Sequence, residues 1–202
     1  MTDPYNAFEK EYELTRGILE QLADIDCRLY ISTKSSLILR DLDLLKKQKD
    51  VIVDMSLNTL DDGFRRDMDR ASSVSERLRT LRALHENGIY TVLFISPLFP
   101  GITDYRELIE VTREFVPEYW FENLNLRGDY KHTILTYIHE KYPQLDELYH
   151  LIFQKNGATY WRELETDFTV WCGENGIKFV NAFNHTQLVK EKKETGVLKR
   201  RD

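Results

Sequence analysis

Val51-Ile52-Val53-Asp54-Met55-Ser56-Leu57 carries one charge in seven residues and runs into the polar pair Asn58-Thr59. That is the pattern of a strand inside a sheet, closed by residues suited to a turn or cap. Tyr90 to Ile95 repeats it and is almost wholly apolar. Near-continuous apolarity suits a strand covered on both faces, as in a parallel sheet. Arg28 to Thr33 is a shorter β-like run, and Tyr119 to Leu124 is the fourth.

Helical patterns fill the intervals. Leu14, Ile18 and Leu22, with Leu19 beside them, predict one buried stripe on a helix from about Ala7 to Ala23. Leu39, Leu42 and Leu45 line one face of a segment from Leu37 to Lys47. Thr59 is expected to cap a short helix with Asp62 at its N3 position. Ser73 and Glu76 form a capping box before Leu78, Leu81 and Leu84, and Asn87-Gly88 ends that helix. Asp104 and Glu107 open a helix to about Phe115. Alternating elements with short connections imply a right-handed βαβ series, an α/β fold with parallel strands. The remainder reads as helical: Lys131 to Lys141, Leu145 to Phe153, and Thr159 to Asn175 with Trp161, Leu164, Phe168 and Trp171 on one stripe. Ile177 to Val180 is expected as a short edge strand.

Composition narrows the function classes. The net charge is -6 and the pI near 5.5, which argues against a broad nucleic-acid surface. The basic run Lys190-Glu191-Lys192-Lys193 and the end Lys199-Arg200-Arg201 read as a solvated tail. No stretch reaches the roughly 18–20 apolar residues of a membrane helix, and the N-terminal residues are charged rather than signal-like. Cys27 and Cys172 give no disulfide framework, are expected as buried thiols, and fit a cytoplasmic location.

Ligands in parallel α/β sheets meet the carboxyl ends of strands. Those ends carry Thr33-Lys34-Ser35-Ser36, Ser56-Leu57-Asn58, Ser96-Pro97 and Asn123-Leu124-Asn125-Leu126-Arg127. Lys34 offers a mobile cation for a carboxylate or phosphate. Ser56 and Asn58 alternate along the strand, as do Asn125 and Arg127, so each pair is expected on one side. Serine and asparagine at strand ends also serve simply as caps. Arg77 is expected at the surface or in a salt bridge. The aspartates Asp61, Asp62, Asp67 and Asp69 fall where capping accounts for them. The five histidines are scattered, with no HExxH and no Cys/His cluster, so no metal ligand is assigned; no catalytic residue is assigned either.

Several stretches in order carry a resemblance: Thr2-Asp3-Pro4-Tyr5 with Glu9-Lys10; Ile31-Ser32-Thr33-Lys34-Ser35 with Leu39-Arg40-Asp41; Met55-Ser56-Leu57-Asn58-Thr59; Ser96-Pro97-Leu98-Phe99-Pro100-Gly101; and Phe121-Glu122-Asn123-Leu124-Asn125-Leu126-Arg127-Gly128. Together they resemble the radical SAM superfamily, in the branch related to spore photoproduct lyase. The resemblance implies an incomplete radical SAM-type (β/α)6 partial barrel over residues 1–128, a helical C-terminal region over 129–187 and a polar tail over 188–202. It also implies S-adenosylmethionine and a [4Fe–4S] cluster held by a CxxxCxxC loop, with reductive cleavage giving a 5′-deoxyadenosyl radical. Lys34 and Ser56 would then contact the methionine or ribose part, Asn58 would assist, Ser96 and Pro97 would border the adenine, and Arg127 would reach the mouth.

CxxxCxxC is absent from this sequence, so the cluster is not expected on this chain alone. The expectation is a truncated or split member, complemented by an N-terminal segment or separate chain carrying the cluster, or self-associating through an exposed sheet edge. The alternative is a non-catalytic α/β domain binding a nucleotide-like ligand or a protein partner.

Overall fold

The computed structural model describes residues 2–183. The basic tail and the boundary at residues 187–188 lie outside the described residues. Five parallel strands run in the order β1 (Arg28–Thr33), β2 (Asp50–Ser56), β3 (Tyr90–Leu98), β4 (Glu118–Asn123) and β5 (Phe179–Asn181). The sheet is open, with β1 and β5 at its edges. The connecting helices are α1 (Glu9–Tyr12), α2 (Leu14–Leu22), α3 (Leu42–Leu45), α4 (Asp62–Met68), α5 (Val74–Glu86) and α6 (Tyr105–Thr112). The C-terminal helices are α7 (Gly128–Lys141), α8 (Asp146–His150) and α9 (Gly157–Glu174). Incomplete α/β sheet plus helical C-terminal region is the architecture the sequence implies.

The two faces of the sheet differ. Ile31, Val53, Met55, Leu93, Ile95, Tyr119 and Phe121 join Leu19 of α2, Leu44 and Leu45 of α3, Leu81 and Leu84 of α5, Ile109 of α6 and Phe168 of α9 in the main core. Phe168 stacks on Phe121 with centroids 4.5 Å apart, so the aromatic stripe of α9 is packing. A second core joins Phe64 of α4, Phe99, Leu124, Ile134 and Ile138 of α7 and Tyr149 of α8. It gathers α4, the chain after β3 and β4, and the C-terminal helices.

Several local expectations change. The first helix is broken: Glu13 takes a left-handed backbone (φ 49°), separating α1 from α2. The break lets the Glu9 carboxylate accept from the Thr15 and Arg16 amides at 3.0 and 3.3 Å, a cap supplied from the preceding helix. The stripe predicted there is not buried as a unit. Leu19 is in the core, but Leu14 and Ile18 are 68% and 57% exposed, and Ile18 lines a cleft beside β1. Ser36–Asp41 is a 3-10 turn ahead of α3 rather than one α-helix. The cap of α4 is Asp61, which accepts from Gly63 and Phe64, while Thr59 accepts from the Asp61 amide. The Ser73/Glu76 capping box forms as read.

Candidate functional site

Alternation along each strand and the register across strands put Tyr30, Ser32, Asp54, Ser56, Phe94 and Trp120 on the face opposite the core. None of them joins the main core. Tyr30 on β1 and Trp120 on β4 are separated by two strands, which in a flat sheet means roughly 14 Å. Their ring centroids are 6.2 Å apart. The face is therefore concave, and its aromatic rims lean together.

A cleft of about 730 Å³ opens on this concavity and wraps the free edge of β1. Lys34, Ser56, Asp54, Ser32, Tyr30 and Trp120 line it, together with Asp3 and Ile18. Asp54 is 5% exposed. Its carboxyl is pushed up to about 6, chiefly by burial; the bond from Ser32 works the other way and the charge of Asp3 adds to the rise.

Arg77 ties the strand ends together. It is 1% exposed, so the expectation of a surface residue is corrected, while the salt bridge is present. Its guanidinium donates to the carbonyls of Ser72 (2.8 Å) and Ser56 (3.0 Å) and to Asp69 Oδ1 (2.6 Å). Asp69 Oδ2 in turn lies 3.5 Å from Lys34 Nζ. A buried fork with several fixed donors holds the end of β2 and the lysine after β1 in one arrangement.

Asp3 was missed by reasoning on strand ends, although its Asp-Pro-Tyr setting carried part of the resemblance. It accepts from the Thr33 hydroxyl at 2.7 Å and the Lys34 amide at 2.8 Å, fastening the N-terminal segment to the end of β1. Asp3 and Lys34 also border a second cleft, of about 860 Å³, lined by Lys10, Ser36, Arg70 and Ser72. Two other motif pieces are scaffold. Arg40 donates to Glu9 Oε1 at 2.7 Å, and Arg16 to Asp41 at 3.0 Å.

The remaining site residues separate. Asn58 donates to the Pro97 carbonyl at 2.9 Å, joining the turns after β2 and β3 rather than lining the cleft with Ser56. The Ser96 hydroxyl donates to Glu122 on β4, and the Ser96-Pro97 peptide is cis. Arg127 precedes α7 and donates to Asn125 Oδ1 at 3.1 Å, outside the cleft. That contact holds Asn125 and Arg127 together in the segment between β4 and α7.

Residues 3–115 match the model of the radical SAM superfamily. The chain belongs to that superfamily. It is 37% identical over 151 residues to an uncharacterized protein of Methanocaldococcus jannaschii, covering 73% of this chain and 56% of that one. It is 25% identical to the radical SAM Nalpha-GlyT isomerase of Pseudomonas phage M6, over 82% of this chain and 33% of the relative. Among solved structures, Streptococcus suis SuiB superposes with a TM-score of 0.57 at 17% identity, over 82% of this chain and 35% of SuiB, and a SuiB structure bound to S-adenosylmethionine with 0.56. The fold is shared. The chain spans about half the length of the M. jannaschii relative.

The thiols present do not fit a [4Fe–4S] cluster, which takes at least three thiolates from one loop in this family. Cys172 is buried on α9 in the main core, and burial pushes its thiol up to about 11. Cys27 is partly exposed, against expectation, and precedes β1 at the end of the sheet away from the cleft mouth. Among the described residues no group of three or more Cys, His, Asp or Glu side chains is placed to hold a metal ion, and no helix is long and apolar enough to cross a membrane.

Proposed function

We propose that this chain is the S-adenosylmethionine-facing part of a radical SAM protein of the spore photoproduct lyase-like branch, a truncated or split member. Its full form would cleave S-adenosylmethionine reductively to a 5′-deoxyadenosyl radical. The observation that carries the reading is the convergence of Lys34 and Ser56 on one cleft at the carboxyl ends of adjacent parallel strands, within the segment that matches the family. Lys34 supplies a cation for the methionine carboxylate and Ser56 a hydroxyl for the ribose. Asn58 holds the Pro97 turn in place, so that Ser96 and Pro97 border the adenine, and Arg127 guards the outer mouth.

The cluster would come from a complementing segment or chain. The edge of β1 supports this: its backbone, unpaired among the described residues and with exposed Ile18 and Tyr30 alongside, fits an added parallel strand. Two thiols outside any disulfide support a reducing compartment, the cytoplasm.

The test is calorimetric titration of the chain with S-adenosylmethionine, followed by anaerobic reconstitution with and without a co-expressed segment bearing CxxxCxxC. Expected are binding that weakens in Lys34→Ala and Ser56→Ala, and iron, sulfide and 5′-deoxyadenosine only with the segment present. A stoichiometric cluster on the chain alone would overturn the split reading. The absence of any S-adenosylmethionine binding, with or without the segment, would favour the non-catalytic binding domain.

A further inference from the structure

The concave face holds a charged group that the proposed S-adenosylmethionine contacts do not use. Asp54 is nine-tenths buried, yet it borders the cleft. Its Oδ1 accepts from the Ser32 hydroxyl at 2.6 Å, and among the described residues neither oxygen meets a cation. Leaving a carboxylate in such a place is costly unless an opposite charge arrives to meet it. The neighbouring strands β1, β3 and β4 supply aromatic surface on this face. Tyr30 and Trp120 lean together at 6.2 Å, and Phe94 meets Trp120 edge-on at 6.1 Å. A carboxylate and aromatic rings lining one cleft are together the groups that recognise an organic cation.

We infer that Asp54, Tyr30 and Trp120 form a subsite for the ammonium group of a substrate, on the concave face of the sheet. The inference rests on the reading of this cleft as ligand-facing and names the substrate class it would take, a primary amine. Other charges around Asp54 do not fill the role. Lys34 is engaged with Asp69, and Asp3 is spent on Thr33 and the Lys34 amide. Glu118, in the same row of the face, accepts from Lys178 at 2.7 Å, Trp120 at 2.8 Å and Tyr90 at 2.8 Å. The Asp54 carboxyl, pushed up to about 6, should ionise as the cation enters, so binding should strengthen as pH rises from 5 to 7.

The experiment uses the full chain labelled with 5-fluorotryptophan, read by fluorine NMR, with the Trp120 signal assigned by Trp120→Phe. The probes are n-butylammonium chloride, the neutral n-butanol, 5′-methylthioadenosine and S-adenosylmethionine. Expected is a saturable shift of the Trp120 signal by n-butylammonium alone of the two small probes, stronger at pH 7 than at pH 5. Asp54→Asn keeps an acceptor for Ser32 and removes the charge; it should weaken that binding by at least about tenfold. Tyr30→Leu, at an exposed position, tests the subsite independently of any folding defect in the first variant and should weaken it several-fold.

An unchanged response in both variants, or no response to n-butylammonium, overturns the inference. If S-adenosylmethionine weakens in Asp54→Asn by the same factor while 5′-methylthioadenosine does not, the subsite belongs to that molecule's own ammonium and the substrate assignment falls. Binding of n-butylammonium with neither nucleoside bound would instead overturn the S-adenosylmethionine reading and leave the cation subsite standing.

Discussion

Ser32 Oγ donates to Asp54 Oδ1 at 2.6 Å across the β1–β2 pair. The bond is the only hydrogen bond given to this carboxyl among the described residues, and burial outweighs it: the group rises from 3.8 to about 6. The native state thus holds a proton that the unfolded chain releases at lower pH. Stability contributed here is present below about pH 4 and is lost as pH rises through about 6, on the order of 3 kcal/mol. Asp54→Asn should flatten that slope. Urea denaturation midpoints at pH 4.5 and 7 check it; equal slopes in the two proteins would refute the assignment.

Arg77 should be the most sensitive polar position in the fold. Replacing it with methionine leaves Asp69 and the Ser56 carbonyl without their buried donor, a loss of about 3–5 kcal/mol. Arg77→Lys should recover only part of this, because one ammonium does not reproduce the fork. Chemical denaturation measures both.

The open side of β1 should drive self-association of the chain when no complementing segment is present. Ile18 and Tyr30, 57% and 51% exposed, flank strand backbone that is unpaired among the described residues. Ile18→Lys should shift sedimentation equilibrium toward monomer without lowering the melting temperature. If wild type is already monomeric at every concentration, the edge is protected in some other way.

The two thiols should react on different clocks. Cys27 is partly exposed, whereas Cys172 is fully buried with its thiol held at about 11. An aromatic disulfide reagent should titrate one thiol in the native chain and the second only on unfolding. Fast reaction of both would mean that α9 opens readily.

The β–α alternation was legible because each strand is a short apolar run and each helix after it begins with a readable cap. Ser73 with Glu76 and Asp104 with Glu107 were placed correctly for that reason. Thr59 is not the cap because Asp61, two positions on, is the stronger capping type and takes the Gly63 and Phe64 amides. Lys34 and Ser56 could be found from the strand-end rule. Asp54 could not, since one acidic residue in an apolar run looks the same whether it faces a core, solvent or a cleft.

By itself, the sequence determined the order of strands and helices, the family, and the absence of a three-cysteine loop, because these depend on local periodicity and residue identity. Tertiary structure decided which side of each strand met the core. It bent the sheet until Tyr30 and Trp120 leaned together, and it left Leu14 and Ile18 of α2 uncovered. The physical reason is that burial and curvature arise from neighbours brought in by the whole sheet. A helix stripe or a buried carboxylate has no fate until those neighbours are in place.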